Sequence, residues 1–134
     1  MSYTLSTTLT RPYAETVEAV RAALAEQGFG VLTEIDLRAT LKAKLDIDVE
    51  PQVILGACQP QLAYRALQLD PSIAAVLPCN VVVRSLDEHT TIVEAFDPDA
   101  TMGLAGDAFH DVATDARQRL SAALDALTTE PMKA

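Results

Sequence analysis

One stretch constrains the fold more than any other: Val53 to Val83, VILGACQPQLAYRALQLDPSIAAVLPCNVVV. It opens on a short β-branched and apolar run, Val53 to Ala57, and closes on another, Val81 to Val83, with an amphipathic segment between them. Both cysteines of the chain fall at the junctions, as Cys58-Gln59-Pro60 and Pro78-Cys79-Asn80. Strands end and helices begin at such places, where unpaired backbone N–H groups can hold a ligand or favour a thiolate.

The other elements arrange themselves around this stretch. Tyr3 to Thr10 alternates Tyr3, Leu5, Thr7 and Leu9 against polar neighbours, the pattern of a half-buried strand. Thr10 and Pro12 mark a helix start, and Tyr13, Val17, Val20 and Leu24 fall on one helical face up to Gln27. Gly28 then stops the helix. Phe29 to Ile35 reads as a second strand, and Asp36 as the N-cap of a short helix over Leu37 to Leu45. An acidic connection leads to Pro51, and the third strand covers Val53 to Ala57. A helix is expected from Pro60 to Leu69, stopped at Asp70-Pro71. Asn80 to Leu86 and Thr90 to Phe96 form a hairpin about Asp87-Glu88-His89. Asp97-Pro98-Asp99 reads as a break, followed by a loop with Met102 and Gly103. A long helix from about Asp107 to Leu127 carries Phe109, Val112, Ala116, Leu120, Ala123 and Leu127 on one face, and Thr128 to Ala134 is a tail.

The order is β-α-β-α-β-α-β-β-α. Its middle helices are too short to serve as crossovers of a parallel sheet, so the expected class is α+β. The fold is a two-layer domain: a mainly antiparallel sheet of about five strands with two long helices on one face. At 134 residues a single domain is expected, with its core over about 3–127. Hydrophobic residues reach 49% while aromatics are only 4%, so much of the core is alanine and the layers pack thinly. The hairpin is apolar on both faces, with Val82, Leu86, Ile92 and Phe96 on one and Val81, Val83, Val93 and Ala95 on the other. That pattern predicts a partner subunit, and a homodimer is expected.

A net charge of −9 with scattered Lys and Arg argues against nucleic acid and against an anionic membrane surface. Met1 to Thr10 has neither a basic n-region nor an apolar h-region, and no run approaches the roughly 18 apolar residues of a membrane span. A cytoplasmic chain with reduced thiols is expected.

The motifs ILGACQP (Ile54 to Pro60) and LPCNVVV (Leu77 to Val83), with GFGVLTEID before them, resemble the family known as domain of unknown function 302. The resemblance runs from about Tyr13 to Phe96 and continues through the last helix. It implies a curved antiparallel sheet backed by helices, similar to the TATA-box-binding-protein-like arrangement, and it carries no activity. Gln59 stands where the family pattern usually has Asn.

Candidate chemistry is confined to a few places. Cys58, Gln59, Pro60, Pro78, Cys79 and Asn80 form the candidate ligand site, for a small molecule, a sulfur species or a metal. The plainer reading makes both cysteines small buried hydrophobes. Cys58 and Cys79 are also the only candidate metal ligands of weight, too few for a tetrahedral zinc site by themselves. His110 between Asp107 and Asp111, and His89 in the hairpin turn, lack any supporting motif. Glu34 and Asp36 share a strand face, but Asp36 is already assigned as a cap. No cofactor is named by the sequence, and GxSxG, P-loop, GxGxxG and CxxC motifs are absent from it. The leading expectation is therefore a binding or sensing domain. The alternatives are a cysteine-dependent enzyme, such as a thiol transferase or small hydrolase, and a purely structural or regulatory homodimer.

Overall fold

The computed structural model describes residues 3–103 and 106–129. Five strands form one sheet: β1 (Thr4–Leu9), β2 (Gly30–Asp36), β3 (Gln52–Cys58), β4 (Cys79–Asp87) and β5 (Thr90–Phe96). Their spatial order is β1-β5-β4-β3-β2, and every neighbouring pair is antiparallel. The expected antiparallel α+β architecture is what the chain adopts. β1 and β2 lie on opposite edges, so the helix that joins them, α1 (Tyr13–Glu26), has to cross the sheet.

One sheet face is the core. Its rows follow the register: Leu55 beside Val81, Ala95 and Leu5, then Val53 beside Val83, Val93 and Thr7. Val20, Ala23 and Leu24 of α1 cover them, together with Leu120, Ala123, Leu124 and Leu127 of the last helix. Each fully buried valine or leucine contributes roughly 1.5–3 kcal/mol. Ala57, Ala95, Ala23, Ala116 and Ala123 are all buried, and their short side chains let sheet and helices approach closely, as the alanine-rich composition predicts.

The short helices fall where the sequence places them. α2 (Leu37–Leu45) starts at Asp36, whose Oδ1 accepts from the Ala39 N–H at 2.9 Å. α3 (Pro60–Leu69) contributes Leu62 and Ala66 to a second cluster with Ile73, Phe109, Val112, Ala113 and Ala116.

Two segments differ from the sequence reading, and for one reason. Asp70-Pro71 does end α3, but Asp70 then caps a 3-10 segment over Pro71–Val76 by accepting from the Ser72 N–H at 3.0 Å. Likewise Asp97-Pro98 ends the hairpin, yet Asp97 accepts from the Asp99 N–H at 3.0 Å and opens α4 (Pro98–Gly103) where a loop was expected. An aspartate cap followed by proline in the first turn is a start signal as much as a stop. The observed order therefore carries one α-helix and the Pro71–Val76 3-10 segment more than the predicted one. The last helix, α5 (His110–Thr129), extends past the predicted end at Leu127; residues 130–134 of the expected tail lie outside the described residues.

The other sheet face has no buried side chain. Ile54, Val82, Arg84, Ile92 and Glu94 are half-buried there, and Ile35 and Phe96 are exposed. The apolar hairpin pattern thus resolves into one covered face and one open face.

Candidate functional site

Gly28 ends α1 with φ +83°, a left-handed conformation that glycine adopts without a steric cost. The N–H groups of Gly28 and Phe29 return to the carbonyls of Ala25 and Leu24. This closure places Phe29, 4% exposed, at the end of the sheet near α3. Beside it β3 ends at Cys58, and Gln59 becomes the N-cap of α3, its Oε1 accepting from the Leu62 N–H at 2.8 Å. Across the ladder, the cis Leu77–Pro78 peptide leads into Cys79, the first residue of β4.

These pieces enclose a small depression. Cys58, Gln59, Pro78 and Cys79 line it from the two predicted motifs, with Phe29 and Leu77 beside them. Ala57 forms its floor, and Leu62, Ala63 and Ala116 close it from the helical layer. The enclosed space is about 20 Å³, room for about one water-sized group. No lining residue carries a charged side chain.

Of the six candidate residues, four are brought together and two are not. Pro60 is exposed at the first position of α3. Asn80 pairs in register with Gly56 and is exposed on the open face of the sheet. The thiols are neighbours across the ladder but are offset by one residue. Cys79 is the register partner of Ala57, and Cys58 that of Gly30. Strand alternation therefore sends Cys79 toward the helical layer and leaves Cys58 at the rim. Both are free thiols.

The electrostatics run against an activated thiol. Burial pushes the Cys79 thiol up to about 11, with a smaller contribution from the nearby Cys58. Burial also raises Cys58 above the ordinary thiol range. The junction before α3 was expected to favour a thiolate; loss of solvation instead pushes the Cys58 thiol up. At pH 7 a group with the acidity of Cys79 is ionised in roughly one molecule in ten thousand.

The remaining candidates lie elsewhere. His89 is exposed in the hairpin turn, its N–H bonded to Asp87 Oδ1 at 2.8 Å. His110 opens α5, exposed, with Asp107 and Asp111 also exposed around it. Neither histidine lines the depression. Glu34 is ion-paired with Arg21 of α1, and Asp36 caps α2, so the two carboxylates hold structure together. Among the described residues there is no group of three or more His, Cys, Asp and Glu side chains placed to hold a metal ion.

Phe29, Leu62, Leu77 and Ala116 are lining residues that the sequence reading did not single out. Only Phe29 had a local signal, its position directly after the glycine that ends α1.

The molecule is thus an α+β domain with a thiol-lined depression where α3 meets the sheet. The sequence pattern of domain of unknown function DUF302 matches residues 5–127, and the chain belongs to that family. The crystal structure of an uncharacterized conserved DUF302 protein from Bacillus stearothermophilus is similar to it, with a TM-score of 0.85 and 31% sequence identity. That similarity covers 93% of this chain and 98% of the Bacillus one. No curated protein matches the chain. No helix among the described residues is long and apolar enough to cross a membrane.

Proposed function

We propose that this protein is a cytosolic, homodimeric binding or sensing domain, and that its site is the depression between the two cysteine motifs. One observation carries the reading. Gln59 lines the depression with 9% exposure, and its Nε2 finds no acceptor among the described residues while Oε1 is committed to the Leu62 N–H. Among the described residues no buried side-chain donor is left without a partner, so this amide is open to solvent, where a ligand's acceptor can replace water. Here it stands with two thiols in a wall that holds no charged side chain.

The chemistry of that wall selects the ligand class. An ionic guest would leave water without a counter-charge, so a small, uncharged, sulfur-reactive species fits best. A low-molecular-weight persulfide in its neutral form is the suitable probe: Cys58 gives its proton to solvent and takes the donor's outer sulfur, and the donor leaves as a thiol. The raised Cys58 makes this transfer slow at pH 7 and faster as pH rises. A metal ion would have to rest on Cys58 and Cys79 alone, and both would first need to lose protons that burial holds in place. The raised thiols also speak against the cysteine-dependent enzyme.

The test is intact mass and thermal melting after exposure to a low-molecular-weight persulfide, with Zn²⁺ and Cu(I) as separate arms. The expected result is a gain of one sulfur atom and a higher Tm, both lost in Cys58→Ser. Neither change in the wild type, or the same change in Cys58→Ser, would overturn the proposal. Binding of a metal alone would replace the sulfur reading with the metal one.

A further inference from the structure

We infer that the open sheet face is where two copies join, about a twofold axis passing between Arg84 and Glu94. The inference rests on the homodimer reading above and gives it a surface and a geometry.

Three observations support it. The face is apolar but uncovered: Ile54, Val82 and Ile92 are half-buried, while Ile35 and Phe96 are 45% and 41% exposed. Tyr3 and Phe96 stack edge to face, with ring centroids 6.3 Å apart, on the strand ends at one corner. A sheet that leaves such residues in water has surface to bury against a partner.

The second observation is charge. The chain carries −9 overall, so two copies repel at most orientations. On the open face the charges cancel, because Arg84 of β4 and Glu94 of β5 pair through Nε and Oε1 at 2.8 Å. β4 is the middle strand, so this pair sits close to the centre of the face. A neutral, central patch is where an acidic protein can meet its own copy without that repulsion.

The third is that the pair is only half used. Arg84 donates from Nε alone, and among the described residues its two terminal nitrogens have no acceptor. A twofold axis through this point brings each spare guanidinium edge to the other copy's Glu94 carboxylate. The pattern is self-complementary, as an isologous interface requires. Five strands at about 4.8 Å spacing and six residues at about 3.3 Å give a plan of about 24 by 20 Å. Two copies then bury on the order of 1,000 Å², the lower bound for a specific interface.

The test is sedimentation velocity on a dilution series of the full chain, with circular dichroism as the folding control. Arg84→Glu and Glu94→Arg are each expected to raise the dimer dissociation constant by about tenfold or more. The double variant restores the opposite signs within and between copies, and it should dimerise like the wild type. Mixing the two single variants should yield a heterodimer, since one contributes only acidic groups and the other only basic groups to the axis. A wild type that stays monomeric overturns both the homodimer and this face. A dimer indifferent to all four combinations overturns the face and leaves the homodimer standing elsewhere.

Discussion

Gly56 of β3 lies so close to Pro78 that a β-carbon on Gly56 would stand 2.9 Å from the Pro78 Cγ. The same atom would fall 2.1 Å from Thr33 Oγ1 on β2, closer than any real contact. The absent side chain at Gly56 therefore sets how near Pro78 approaches β3.

Gly56→Ala should be destabilising by about 1–3 kcal/mol, because the Thr33 hydroxyl has to rotate away and the Pro78 ring cannot retreat without moving the chain that leads into β4. Urea unfolding monitored by circular dichroism measures it. A change below about 0.5 kcal/mol would mean that the close approach is soft.

Gln59→Ala removes the α3 cap and should cost about 1 kcal/mol, by the same measurement. Gln59→Asn retains an amide at the N-cap and should recover part of the loss. Full recovery by Asn would show that Gln59 acts as a cap alone. Only partial recovery is expected, because the longer Gln59 side chain also packs beside Gly28.

The raised thiols make stability depend on alkaline pH. A thiol that ionises at 9.0 when free and at about 11 in the fold keeps its proton longer in the native state. The unfolded chain then binds fewer protons between those values, so stability falls as pH rises from about 9 and levels off above about 11. Cys79 contributes at most about 3 kcal/mol to this loss, and Cys58 acts in the same direction. The fall should be visible in Tm against pH and clearly shallower in Cys79→Ala. An equal slope in both proteins would place the titrating group elsewhere.

Much of this architecture was legible in the sequence because local signals and global packing agree. Leu37 to Leu45 and Pro60 to Leu69 are helices with those bounds. All six apolar positions predicted for the last helix are buried. The helices after Asp70 and Asp97 were missed because aspartate-proline was read only as a stop. The site was legible by half. Motif positions pointed to Cys58, Gln59, Pro78 and Cys79, but the face on which Asn80 lies depends on register, which no local pattern supplies. The thiols are raised by burial in a depression lined also by Phe29, Leu62 and Ala116, which come from a loop and two helices. Burial by distant elements is what one-dimensional reading cannot weigh against the junction before α3.

The most direct measurement is the alkylation rate of each thiol in the folded protein against pH, resolved by peptide mass. The account predicts slow labelling of rim Cys58 near pH 7, rising only above the ordinary thiol range, and no appreciable labelling of Cys79 until close to pH 11. Fast labelling of either cysteine near neutral pH would contradict a site built from protonated thiols, and would return the activated nucleophile as the better reading.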